Sequence, residues 1–391
     1  MDYFITRYDI DCAADAHCAV LEDSIMYKDH PVTAGSKILE NFISPLDATV
    51  VTQIEAAQIN ILGKTKMDEF GAGGLRLDSE SGLHGFSSGA VSAVADGVAS
   101  FALCNDYTGA VSQYAAAQGL CYIHPTYGTV SRYGLIPMVS SMDQIGIVCK
   151  TPAEGQHVLS IITGYDPKDG AMFTTAANGA VSEKPGNSQG RQLRIGIPAN
   201  VLTRVSDAGS RIPDTSLSAV TEFAKNFESI DIELKYTDSY MQVMQILCCA
   251  ELSNNLTRYD GIKFGYRAEG YRNLRELYTK SRTEAFGKDV KLASLIGSMV
   301  LSKENYKRYY DKAMRIRRLI KESLRFDKYD VIILPVCVEP GIRNPEIALH
   351  ALPMLCGLPA VSVPFQGGGI TLIADANCEN VLFSALNEYQ K

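Results

Sequence analysis

The sequence predicts an α/β protein, because strand-like apolar runs alternate with helical patterns along its whole length. The runs Ile145-Gly146-Ile147-Val148-Cys149, Tyr329-Asp330-Val331-Ile332-Ile333-Leu334 and Ala360-Val361-Ser362-Val363 are short and read as buried strands. A chain of 391 residues, 46% hydrophobic and 21% charged, is also long and apolar enough to bury one large core or two smaller ones.

Taken in order, the elements follow from local signals. Asp47 is expected to cap a helix reaching about Gln58, after which Ile59–Leu62 reads as a strand ending at Gly63. Ser87-Ser88-Gly89 opens an Ala/Val-rich helix, and Ser100–Cys104 is a buried strand. The helix after Cys149 starts at Thr151-Pro152, with proline at its first turn. Ala176–Gln192, rich in Gly, Ser, Asn and Ala, reads as a long loop. Leu193–Ile197 and Asp231–Leu234 read as strands, and the stretch from about Ser239 to Phe326 as mostly helical. Within it Ser302 is expected to cap a helix whose stripe of Tyr306, Tyr309, Tyr310, Ile316, Leu319 and Ile320 packs into the core. No repeat or heptad interrupts this, so the expected layout is one domain over 1–391 with a helical excursion at about 239–326.

Composition narrows the function classes. A net charge of −7 with well-mixed signs argues against a broad nucleic-acid surface of the protein's own. Ten scattered cysteines show no metal-ligand spacing, so neither a metal nor a cofactor is expected. The N-terminus does not read as a signal peptide and no apolar run is long enough to span a bilayer, so no membrane association and a reducing, cytoplasmic location are expected.

A series of motifs then occurs in a fixed order. It begins with Ser36-Lys37-Ile38-Leu39-Glu40-Asn41-Phe42, Asp47-Ala48-Thr49-Val50-Val51 and Gly63-Lys64-Thr65-Lys66-Met67-Asp68-Glu69-Phe70. Pro125-Thr126-Tyr127-Gly128, Val130–Leu135 and Ser141–Gly146 follow. Arg258–Ile262, Phe264–Arg267, Phe286–Lys291 and Gly357-Leu358-Pro359-Ala360 complete it. Over about residues 20–364 the chain resembles the amidase-signature family, in particular its tRNA-dependent amidotransferase A-subunit branch. The resemblance implies a large mixed β-sheet core covered by helices on both faces, and B and C subunits of an amidotransferase as partners. Three regions look abbreviated against the family: the N-terminal helical segment, the loop Gly71–Phe86 and the tail after Pro364.

Members of this family use a Ser–cis-Ser–Lys triad, in which lysine draws a proton through the cis-serine and the second serine attacks an amide carbonyl held by backbone N–H donors. Carried over residue by residue, the lysine position falls on Glu22, counting back from Ser36-Lys37-Ile38-Leu39 to Glu22-Asp23-Ser24-Ile25. Lys28 lies off that position and reads as a surface lysine, and Lys64 matches a strand-end lysine of the family. Ser87 matches the cis-serine, although a serine pair before an Ala-rich helix is also an ordinary N-cap. The nucleophile segment reads Asp106-Tyr107-Thr108-Gly109-Ala110-Val111-Ser112-Gln113, which puts Ala110 at the nucleophile and Tyr107, Thr108 and Gly109 in the oxyanion loop. The family's glutamine-binding arginine and aspartate find no counterpart in Lys291-Leu292-Ala293 or Asn344-Pro345-Glu346.

In an unrelated serine hydrolase, losing the nucleophile costs roughly a factor of 10⁶ in rate, about 8 kcal/mol of barrier. The resulting expectation is a pseudoenzyme with a scaffold or ligand-binding role. Two alternatives compete with it: an amidotransferase component still acting in transamidation on ammonia from another source, and a hydrolase in which Glu22 activates water while Ser87 relays the proton.

Overall fold

The computed structural model describes residues 3–10, 17–77, 88–172, 192–202, 214–336 and 348–389. Among these, the strands are β1 (Phe4–Arg7), β2 (Cys18–Glu22), β3 (Asn60–Thr65), β4 (Phe101–Asn105), β5 (Cys121–His124) and β6 (Ile145–Cys149), then β7 (Arg194–Pro198), β8 (Glu228–Ile232), β9 (Val331–Pro335), β10 (Ala360–Phe365) and β11 (Gly368–Ala374). They form one sheet in the order β1-β3-β2-β4-β6-β5-β10-β11-β9-β7-β8. The sheet is mixed: β2 runs parallel to β3 and β4, and β7 parallel to β8 and β9, while the central pairs from β4 to β9 are antiparallel.

The central strands are apolar on both faces because both faces are covered. In β2, Ala19 and Leu21 face one core, while Cys18 and Val20 face another. The first face carries α1 (Thr49–Ala56), α4 (Pro152–Ile162), α5 (Asp214–Ala224) and α11 (Glu379–Tyr389). The opposite face carries α2 (Gly89–Ala95) and α3 (Ala110–Ala117) over β2, β4 and β5. Further along lie α6 (Tyr240–Asn255), α7 (Leu274–Ala285), α8 (Lys288–Leu301), α9 (Tyr310–Ser323) and α10 (Ala351–Cys356). Among the described residues, no helix is long and apolar enough to cross a membrane.

Several expected boundaries move, each for a local reason. Asp47 does not cap α1; its Oδ1 accepts the Lys28 N–H at 2.8 Å, and Ala48 occupies the cap. Strand β3 runs past Gly63 to Thr65, since at Gly63 β1 crosses so closely that a Cβ would overlap Thr6 O. Strand β8 starts three residues earlier than expected, where its register with β7 begins at Arg194 and Glu228.

Ser302 is the C-cap of α8, with extended backbone, and its hydroxyl donates to Met299 O at 2.8 Å. Helix α9 begins only at Tyr310, so its buried face is Ala313 and Ile320. Tyr306 and Leu319, expected in the core, are 43% and 44% exposed. The long loop expected at Ala176–Gln192 lies outside the described residues except for Gln192.

Candidate functional site

Strand β2 delivers Glu22 to the sheet face that carries α2 and α3. There the carboxyl is buried, accepting from Ser24 Oγ at 2.6 Å and from the Asn105 N–H at 3.3 Å. Burial pushes its pKa up to about 8, against those two hydrogen bonds and with help from the Asp106 and Asp23 charges. The Glu22 carboxyl is therefore mostly protonated at pH 7.

Next to it, Lys64 from β3 and Asp23 form an ion pair at 3.7 Å with both side chains fully buried. The Lys64 ammonium also donates to Ile25 O, and Asp23 accepts from the Thr33 N–H at 2.9 Å and from its hydroxyl. Desolvation nevertheless outweighs the attraction on both sides, lowering Lys64 to about 8 and raising Asp23. Lys28, as expected, lies away from this cluster, its backbone N–H held by Asp47.

At the end of β4 the chain turns through Asp106, Tyr107, Thr108 and Gly109 into α3. Gly109 holds a left-handed conformation (φ 79°) and Ala110 opens the helix. The buried Asp106 organises the turn by accepting the N–H groups of Gly109 at 2.7 Å and Ser112 at 2.9 Å. Thr108 Oγ1 accepts the Ala110 N–H at 3.3 Å, and Gly109 O accepts Ser112 Oγ at 2.9 Å and Gln113 Nε2 at 3.1 Å. The donors that could hold an oxyanion at Gly109 and Ala110 are thus engaged within the loop.

Ala110 is 1% exposed and offers only a methyl group. The segment Glu69–Leu75 packs directly on it. A Cβ on Gly74 would overlap Thr108 Oγ1 and stand 3.1 Å from the Ala110 methyl. Tyr107 fastens the same segment from below, its hydroxyl donating to Phe70 O at 2.8 Å. Phe70 and Arg76 both adopt left-handed backbone conformations here, at φ 49° and 50°. Arg76 closes the arrangement by donating to Gln113 Oε1 at 3.2 Å.

Among the described residues, the cavity left beside Glu22, Asp68, Ser88, Asp106 and Thr108 measures about 20 Å³, room for about one water. A second cavity, of about 40 Å³, lies between α3 and the sheet, against His124, His350, Ser362 and Thr371. Burial lowers His124 to about 4 and His350 to about 3, with the Arg76 charge adding to the latter.

The amidase family model matches residues 19–365. This chain belongs to the amidase family. The amidase-family chain is similar to the A subunits of glutamyl-tRNA(Gln) amidotransferases. It is 37% identical to that of Lachnoclostridium phytofermentans, covering 88% of this chain and 74% of the relative. It is 35% identical to that of Acinetobacter baumannii, covering 95% and 81%. The crystal structure of the corresponding Thermotoga maritima protein superimposes with a TM-score of 0.69 at 25% identity, covering 96% of this chain and 84% of that one. The expected amidase fold, a large mixed sheet covered by helices on both faces, is what the structure has.

In this amidase-family chain the structure gathers Glu22, Asp106, Tyr107 and Thr108 around one small cavity, with Ser88 at its edge. Ser88 caps α2 by accepting the Val91 N–H at 3.3 Å. Ser87 lies outside the described residues, as do Asn344, Pro345, Glu346 and most of the loop Gly71–Phe86. Gly74, Arg76 and His350 belong to the site's surroundings but carry no signal in the sequence, since each is placed by a loop approaching from a distant part of the chain.

Proposed function

We propose that this amidase-family protein is catalytically silent and serves as a scaffold or ligand-binding relative of the glutaminase component. The single observation that carries the reading is the methyl group of Ala110 at the start of α3, where the family's motif has its nucleophilic serine. Two further features support it. Glu22 stands at the family's lysine position with a pKa of about 8, so at neutral pH it is mostly an acid and a poor proton acceptor. Thr108 and Asp106 take up loop N–H groups that an oxyanion would need.

Acid-quenched mass spectrometry after incubation with glutamine or a simple primary amide tests this. No acyl adduct is expected on any side chain, and an adduct within Ser87–Ser112 would overturn the proposal.

The similarity to amidotransferase relatives over 88–95% of the chain favours one second reading. In it the protein pairs with B and C subunits and supports transamidation of Glu-tRNA(Gln) on free ammonia. Co-purification with both subunits and ammonia-dependent Gln-tRNA(Gln) formation would support it, and failure to bind either of them would remove it.

A further inference from the structure

Helices α6 and α9 leave a groove between them of about 290 Å³. Its floor is apolar: Val243 and Ile246 come from one helix, Ala313 and Ile316 from the other. Each pair is spaced i, i+3, so the floor presents two rows of side chains with a furrow between them, the relief into which a third helix packs. Along the rim stand Arg308, in the turn before α9, and Lys312, in the first turn of that helix. Both are exposed, and among the described residues neither makes an ion pair, Arg308 lying over the Tyr309 ring at 5.4 Å.

Three of the neighbouring cations are already committed. Arg315 pairs with Asp311 at 2.9 Å, Arg318 with Glu322 at 2.6 Å, and Arg317 donates to Leu355 O and Ser141. The rim also lies in the most basic stretch of an acidic protein: residues 302–325 hold nine Lys and Arg against three Asp and Glu, within a chain of net charge −7.

We infer that this groove docks an acidic amphipathic helix of a partner protein. The partner's apolar stripe would fill the furrow, and carboxylates flanking that stripe would meet Arg308 and Lys312. The two-row relief of the floor favours a helix over an irregular acidic segment, because a helix surface presents ridges that fit such a furrow. The apolar floor distinguishes the groove from a nucleic-acid surface, where cations track phosphates. The inference is independent of whether the Ala110 site retains chemistry.

Fluorescence anisotropy on the full chain tests it, with a labelled synthetic helix of about five turns as probe. The probe carries leucine at i, i+3, i+4 and i+7, flanked by glutamate pairs at i and i+4; a matched probe replaces glutamate with lysine. Saturable binding of the glutamate probe alone is expected. It should weaken at least about tenfold in the doubly reversed Arg308→Glu, Lys312→Glu protein, which should now accept the lysine probe. Both positions are exposed, and circular dichroism confirms that the variant is folded. Equal binding of both probes, or glutamate-probe binding indifferent to the double reversal, would overturn the proposal. So would a reversal that abolished binding of single-stranded RNA or anionic vesicles while no peptide bound.

Discussion

Glu22 and Lys64 are both driven toward neutrality by burial, and they act on stability in opposite directions across pH. The folded state holds the Glu22 proton up to about pH 8, whereas an unfolded chain releases it near the ordinary value of 4.5. Its contribution is therefore complete below about pH 4.5 and is lost as pH rises toward 8, at no more than about 1.4 kcal/mol per pH unit. Lys64 is lowered from 10.5 to about 8, so the folded state sheds its proton first and gains stability from this group as pH rises from 8 to 10.5.

Urea denaturation across pH should accordingly show a minimum near pH 8, and Glu22→Gln should lessen the decline below it, the other buried carboxyls raised in the same direction keeping the rest. An unchanged profile in that variant would contradict the assignment. Replacing Lys64 by Met leaves Asp23 buried without its counter-ion and should cost about 3–5 kcal/mol, much of it recovered by adding Asp23→Asn. The proposed place of Glu22 at the family's lysine position comes from the sequence, by counting back from the motif Ser36–Phe42. Its protonation does not, because that depends on tertiary burial of the carboxyl, with the Asp106 charge nearby, outweighing the hydrogen bonds from Ser24 and Asn105.

At the scale of elements, the segment Glu69–Leu75 decides what the start of α3 can accommodate. Gly74 leaves no room for a side chain over Thr108 and Ala110. Gly74→Ala should destabilise the protein by about 1–3 kcal/mol, and Thr108→Ala should relieve part of that cost, a coupling readable from a double-mutant cycle. Additive losses would mean that the two residues do not press on each other.

The strands β4, β6, β7, β9 and β10 are readable because each is a short apolar run bounded by turn residues. Strands β1, β2, β5 and β11 are not; β1, for instance, is four residues long and carries an alternating pattern weakened by Arg7. The start of α9 lies well beyond the expected cap, because Ser302 has the chemistry of an N-cap while the backbone there is leaving α8. That shift exposes Tyr306 and Leu319, and it hides the groove between α6 and α9 from a reading of the sequence.

Across the whole molecule, the packing of the amidase-family fold is intact. Both faces of the eleven-stranded sheet are covered, and the family motifs at Ser141–Gly146 and Gly357–Ala360 sit in largely buried, hydrogen-bonded surroundings. Asp143, for example, accepts the Met138 and Val139 N–H groups at 2.9 and 3.0 Å and Asn105 Nδ2 at 2.9 Å. Such a scaffold should keep a cooperative unfolding transition after Ala110→Ser. That single change should restore no measurable amidase activity, because Glu22 and Thr108 remain.

The most direct measurement is ammonia release by the purified protein from glutamine and from a simple amide at pH 7 to 9. A catalytically silent chain yields no more ammonia than the buffer alone. Sustained release that Ser87→Ala or Glu22→Gln abolishes would contradict this reading of the molecule.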